Sequence, residues 1–170
     1  MKYYEVFGLE PALSLDAAAL QKRFYELSRQ WHPDRFSAKG GDALRQAEEM
    51  TALINDAFRT LRDPIERAEY VLSQNGLEAS SQRGKDVPPE LLEEVLELNM
   101  ALEVADRAQI ERSLAQFEAM LAASDAELAE RFAAYDAGRG PAELQAVRAA
   151  LNRRKYIANL VRDARKALES

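Results

Sequence analysis

Apolar side chains recur at three- and four-residue steps along most of this chain, and that spacing constrains the fold more than any other feature. Between residues 42 and 62 the repeating positions are Leu44, Ala47, Thr51, Ile54, Phe58 and Leu61. The step matches the turn of an α-helix, at about 3.6 residues. A convincing alternation of apolar and polar residues, which would indicate strands, is not found. The sequence therefore predicts an all-α protein.

Two helices in the first part of the chain are predicted to form an antiparallel pair. Ser14 or Asp16 can cap a helix that runs to about Trp31. A second helix extends from about Asp42 to Arg62. The short, glycine-containing segment between them would form a loop at the tip of the pair.

The boundary of this first domain is predicted from turn and linker residues. Asp63 can cap a further helix that has Pro64 at its first position, and Asn75-Gly76 ends it. The polar segment that follows contains Gly and Pro, which is typical of a linker. We therefore expect a first domain at 1–76, a linker at 77–89 and a second domain at 90–170.

The second domain is predicted to be a three-helix bundle. Its helical segments cover about 90–104, 107–135 and 142–168, with apolar stripes that can face one core. Residues 124–127, Ser-Asp-Ala-Glu, could cap a fresh helix, so a break in the middle segment is left open.

Composition excludes several classes of function. The 170 residues include no Cys and one His, which removes thiolate metal sites and argues against a catalytic triad or zinc cluster. A net charge of −6 argues against nucleic acid as the main partner. The first residues are too short and polar for a signal peptide, and no apolar run approaches a membrane span. We expect a cytoplasmic protein with no membrane partner and no cofactor.

The single histidine lies in the tripeptide His32-Pro33-Asp34, here called the HPD tripeptide, between the two predicted helices. By itself the tripeptide is weak evidence, because Pro can simply stop a helix, His can favour a helix C-terminus and Asp can serve a turn. Pro33 would also fix the loop that presents its two neighbours.

A basic face precedes the tripeptide on the first of these helices. At 100° per residue, Lys22 and Arg29 lie opposite the apolar stripe beside Tyr25, and Arg23 lies at the flank. A solvated face is the ordinary interpretation of such a pattern. Because this face adjoins the HPD tripeptide and Arg35 in an acidic chain, we favour docking to a negatively charged partner surface.

The first helix of the second domain has a second set of apolar residues, here called the apolar row: Leu92, Leu96 and Met100. Carboxylates at Glu93, Glu97 and Glu103 flank the row. On the last helix Tyr156 and Leu160 also stand off the core stripe and could lie beside it. Two interpretations remain open: a helix buried on two sides, for instance against the first domain, or a groove for a protein partner.

Motifs along the chain resemble a known family. The run Phe58-x-x-Leu61-x-Asp63-Pro64-x-x-Arg67-Ala68-x-Tyr70, at its spacing from the HPD tripeptide, resembles the end of a J domain, which activates the ATPase of DnaK-like chaperones. The segments Tyr3-Tyr4-x-x-Phe7-Gly8-Leu9, Arg67-Ala68-Glu69-Tyr70-x-Leu72 and Leu92-x-x-x-Leu96-Glu97-Leu98 resemble, more narrowly, the HscB family of co-chaperones in iron–sulfur cluster assembly.

The resemblance implies an L-shaped molecule with two binding sites. Its J domain would stimulate an HscA-type chaperone, and its C-terminal domain would bind the scaffold protein IscU. We expect the chaperone site at Lys22, Arg23, Tyr25, Arg29, His32, Pro33, Asp34 and Arg35. We expect the scaffold site at Leu92, Glu93, Leu96, Glu97, Met100 and Tyr156.

The chain also departs from the family pattern. Glu93, Met100 and Val104 occupy positions where that pattern has a Met and further carboxylates, so the rim of the groove differs chemically. Some eukaryotic relatives carry a Cys-containing N-terminal metal module, and the absence of Cys here favours a bacterial type.

The predicted function is that of an adaptor and not of an enzyme. It would deliver the scaffold to the chaperone and stimulate ATP hydrolysis. The alternative is a general J-domain co-chaperone whose second domain binds another client. A third hypothesis makes His32 and Asp34 a general acid–base pair. No nucleophile, phosphate loop or metal cluster accompanies them in the sequence, which argues against that hypothesis.

Overall fold

The computed structural model describes residues 1–78 and 87–170, and most of the predicted linker lies outside the described residues. These residues form helices α1 (Lys2–Val6), α2 (Ala17–Gln30), α3 (Gly41–Arg62), α4 (Pro64–Gln74), α5 (Leu92–Glu103), α6 (Arg107–Gly138) and α7 (Pro141–Glu169), with 3-10 turns at Pro33–Arg35 and Pro89–Leu91. Neither described range contains a strand, so the all-α prediction is confirmed. The chain divides into two compact units, Met1–Glu78 and Ala79–Ser170.

Helices α2 and α3 form an antiparallel pair in the first unit. Phe24 stacks on Phe58 with ring centroids 4.1 Å apart, and the Thr51 hydroxyl donates a hydrogen bond to the Trp31 carbonyl at 3.0 Å. The middle of α2 therefore contacts the last turns of α3, and the C-terminal end of α2 contacts the middle of α3, as an antiparallel pair requires. Of the two predicted caps, Asp16 is the N-cap of α2, and its carboxylate accepts the Ala18 and Ala19 N–H groups.

Helices α1 and α4 complete the first unit around the same core. Tyr3 stacks on Tyr70 with centroids 4.6 Å apart, and its backbone N–H donates to the Tyr70 hydroxyl. The predicted cap at Asp63 is present, because its carboxylate accepts from the N–H groups of Ile65 and Glu66 at 2.8 and 3.0 Å. A side-chain cap of this kind satisfies N–H groups that have no partner within the helix.

A buried arginine connects three parts of the first unit. The guanidinium of Arg67 donates to the Leu13 carbonyl at 2.8 Å and to the Leu61 carbonyl at 2.7 Å. Arg67 thereby joins the loop before α2, the end of α3 and the first turns of α4. Its side chain is nearly excluded from solvent, so these carbonyls replace hydration that the charge has lost.

The second unit contains the predicted three helices, packed around Leu98, Phe117 and Ile157, each fully buried. Helices α6 and α7 run antiparallel, because Arg107 bonds the Leu168 carbonyl while Glu118 pairs with Arg165. Helix α6 continues through residues 124–127 without the break that the sequence left open. Ser124 is buried there and does not serve as a cap. On α5 the buried face continues from Leu98 to Ala101, whereas Leu102 packs on the core only partly buried.

Candidate protein-interaction sites

The HPD tripeptide occupies an exposed, internally bonded loop at the end of α2. Trp31 ends α2 with an N–H bond to the Leu27 carbonyl, and a 3-10 turn begins at Pro33. His32 is the N-cap of that turn, where its Nδ1 accepts the Asp34 N–H at 3.2 Å. The side chains of His32 and Asp34 are 59% and 93% exposed. Both are therefore available to a partner.

The basic face on α2 is only partly free of internal pairing. Lys22 and Arg29 are exposed, and Tyr25 is 52% exposed beside them. Arg23 pairs with Glu26 at 3.4 Å on the flank, which neutralises part of its charge. The positive charge of this face therefore comes mainly from Lys22 and Arg29.

The loop extends the basic face, because Arg35 reaches back to α2. Its guanidinium donates to the Arg29 carbonyl at 3.3 Å. That carbonyl lies in the last turn of α2, where main-chain oxygens have no partner within the helix. Arg35 thus gives this carbonyl a hydrogen-bond donor and places a positive charge beside the HPD tripeptide.

The apolar row on α5 lies on the surface, opposite the side of the helix that forms the core. Leu92, Leu96 and Met100 are 49%, 52% and 66% exposed, whereas Val95 and Leu98 on the same helix are buried. Exposed leucines next to buried ones show that α5 carries more apolar surface than its bundle covers.

Sequence reasoning missed one member of this surface. Val104, at the C-cap of α5, is 73% exposed and continues the four-residue spacing of Leu92, Leu96 and Met100. That spacing is a signal in the sequence, where Val104 stands out only as a departure from the family pattern. From residue 92 to 104 the extended row spans about 18 Å, at a rise of about 1.5 Å per residue.

The carboxylates that flank the row are exposed, as the sequence pattern suggested: Glu93, Glu97 and Glu103. Tyr156 has a different environment from the row. It is partly buried and packs on the core of the second unit, and that burial raises the pKa of its phenol. Leu160 packs on the same core. The structure thus divides the predicted scaffold-site residues into an open group on α5 and one half-buried aromatic on α7.

The described residues contain no group of three or more His, Asp or Glu side chains that could hold a metal ion. In residues 1–78 and 87–170, moreover, no helix is both long and apolar enough to cross a membrane. What the structure does show is an exposed HPD tripeptide on the first unit and an exposed apolar row on the second.

Comparison with known proteins matches each unit to a family. Residues 2–70 match the DnaJ domain, and residues 87–165 match the HSCB C-terminal oligomerisation domain. A co-chaperone protein HscB homolog of Vibrio vulnificus is 41% identical over 120 residues, which cover 70% of each chain. The corresponding protein of Vibrio cholerae is 37% identical over 124 residues, covering 72% of each.

Solved structures agree with these matches. Chaperone HscB from Vibrio cholerae superposes with a TM-score of 0.68 at 30% identity, covering 99% of this chain and 98% of that one. Human co-chaperone HscB has a TM-score of 0.70 at 23% identity, covering 97% and 81%, and shows the shared fold.

The first unit, with its HPD tripeptide between two antiparallel helices, is therefore a J domain, and the chain is a J-domain protein. With the matching C-terminal domain and the relatives above, it belongs to the HscB family of co-chaperones. Both the predicted fold class and the predicted family are confirmed.

Proposed function

We propose that this protein is an adaptor that stimulates the ATPase of an HscA-type chaperone and delivers an IscU-type scaffold protein to it during iron–sulfur cluster assembly. The observation that carries the proposal is an exposed HPD tripeptide on one compact unit and an exposed apolar row on the other. Two separate sites allow one molecule to hold a chaperone and its client together, which raises the effective concentration of each for the other.

The chaperone arm rests on the J domain. Lys22 and Arg29 supply a basic surface that would steer the domain toward an acidic chaperone surface. The HPD tripeptide and Arg35 would then contact the chaperone beside it. We assign the remaining predicted contacts, Arg23 and Tyr25, to the border of this interface.

The scaffold arm rests on the second unit, to which we assign residues 90–170. Its apolar row, with Val104 at the end, fits a partner segment that is apolar along its centre. The flanking carboxylates Glu93 and Glu97 favour basic residues at that segment's edges. Half-buried Tyr156 would act as a less accessible contact than the leucines.

No catalytic step is assigned to this chain, and we place the protein in the cytoplasm of a bacterium. The alternative function keeps the chaperone arm and changes the client bound by the second unit. Family membership and the matching C-terminal domain favour the iron–sulfur client over an unrelated one.

The test is steady-state ATP hydrolysis by an HscA-type chaperone with the protein alone, an IscU-type scaffold alone, and both together. We expect modest stimulation by either one and more than additive stimulation by the pair, because the adaptor brings the scaffold to the chaperone. A DnaK-type general chaperone serves as the control. The protein could stimulate the ATPase while the scaffold adds no further stimulation, even though the scaffold is shown to bind the chaperone. That result would favour the alternative client.

A further inference from the structure

Within the HPD loop, residues 31–40, two aromatic rings stack on each other, and a hydrogen bond from α3 reaches the start of the loop. Trp31 and Phe36, which flank the tripeptide in sequence, stack with centroids 5.8 Å apart and planes 7° from parallel. The Lys39 ammonium lies 5.1 Å from the Phe36 ring centroid, a cation–π distance. The two rings therefore close the loop at its base.

Hydrogen bonds within the loop are short-range. The N–H groups of Arg35 and Phe36 donate to the His32 and Pro33 carbonyls at 3.0 and 2.9 Å, and the Ser37 hydroxyl donates to the Asp34 carbonyl. Bonds of this kind shape the turn, and the Arg35 guanidinium connects it to the Arg29 carbonyl at the end of α2, but none of these bonds involves α3. A surface loop bonded only to itself and to the end of α2 would move together with that helix end.

A hydrogen bond from α3 holds the start of this loop against the second helix of the pair. The Thr51 hydroxyl, on α3, donates to the Trp31 carbonyl at 3.0 Å across 20 residues of sequence. That carbonyl belongs to the C-cap of α2, where it has no partner further along the helix. Thr51 thus fixes the residue that immediately precedes His32.

We propose that Thr51, together with the Trp31–Phe36 stack, is a positioning device that holds the HPD tripeptide in the conformation that docks on the chaperone. This inference rests on the proposed function of the J domain. Thr51 itself lies on α3 and need not touch the partner. Its loss would lower the population of the docking-competent loop, and apparent affinity falls in proportion to that population.

The variants separate the hydroxyl from the bulk of the side chain. Thr51→Val keeps the volume and removes the donor, whereas Thr51→Ser keeps the donor and removes a methyl group. Thr60→Val is the matched control, since Thr60 lies on the same helix about 14 Å further along its axis. Phe36→Leu removes the ring stack and gives a second route to the same loop.

For Thr51→Val we expect a two- to fivefold rise in the concentration that gives half-maximal ATPase stimulation. The upper limit follows from the free energy of one hydrogen bond, about 1 kcal/mol, because a tenfold change in apparent affinity corresponds to about 1.4 kcal/mol. Thr51→Ser and Thr60→Val should stay near the parent value. A purely structural role predicts a different order, in which stimulation follows the melting temperatures of the variants.

A second readout does not depend on any partner. Trp31 is the only tryptophan of the 170 residues, so its fluorescence reports on the base of the loop alone. Thr51→Val and Phe36→Leu should increase acrylamide quenching and shift the emission to longer wavelength, and Thr51→Ser should not.

Unchanged quenching and unchanged stimulation in both Thr51→Val and Phe36→Leu would overturn the proposal, as would Thr51→Ser behaving like Thr51→Val. If the parent protein fails to stimulate an HscA-type chaperone, the proposed function fails instead. In that case the fluorescence of the same variants still decides whether Thr51 holds the loop.

Discussion

The pair Leu96 and Leu98 offers a sharp separation of binding from folding. The two leucines are two residues apart on α5, yet Leu96 is 52% exposed and Leu98 is fully buried. Replacing each by Ala removes the same atoms from opposite sides of one helix. We expect Leu96→Ala to weaken scaffold binding and Leu98→Ala to weaken the fold.

The magnitudes follow from burial. Complete burial of a leucine side chain is worth about 1.5–3 kcal/mol, and about half of Leu96 is still available to be buried by a partner. Leu96→Ala should therefore cost about 0.8–1.5 kcal/mol of binding, or about a four- to twelvefold increase in Kd. Leu98→Ala removes core packing and leaves a cavity, for about 2–5 kcal/mol of unfolding free energy.

The assay is titration of an IscU-type scaffold by calorimetry, alongside denaturant unfolding of the full chain followed by circular dichroism. Adding Leu92→Ala and Met100→Ala to Leu96→Ala should deepen the binding loss further, although not additively. If Leu96→Ala binds the scaffold as the parent does, the row is not the docking surface. If it destabilises the protein as much as Leu98→Ala does, the exposed row has a structural role and our assignment of it is wrong.

Three further predictions concern the J domain. His32→Gln should abolish ATPase stimulation while the unfolding free energy changes by about 0.5 kcal/mol or less, since the side chain is exposed; a large loss of stability with stimulation intact would contradict this. Lys22→Glu or Arg29→Glu should weaken stimulation and flatten its salt dependence, because exposed charges are screened over about 8 Å at physiological ionic strength, and an unchanged salt titration would make these residues an ordinary solvated face. Arg67→Met should lower the unfolding free energy of the domain by about 3–5 kcal/mol, because two buried carbonyls lose charged donors; a nearly neutral effect in denaturant unfolding would refute this role of Arg67.

Much of the fold was predictable because its determinants are local. Helix caps such as Asp16 and Asp63 act on N–H groups two or three residues away, and the apolar period reports which face of a helix must be buried. The HPD tripeptide was recognisable in the same way, from its position between two such helices. The apolar row, including Val104, was likewise indicated by its four-residue spacing in the sequence.

The sequence by itself therefore determined the all-α class, the helix boundaries to within a few residues and the family, since each depends on neighbours along the chain. Only the tertiary structure decided which apolar residues stay exposed, because exposure depends on what the other helices cover: Leu96 remains open while Tyr156 is half-buried. It also decided the long-range bonds of Arg67 and Thr51, whose acceptors lie 54 and 20 residues away. Such partners are set by how helices pack in space, and no local spacing in the sequence specifies them.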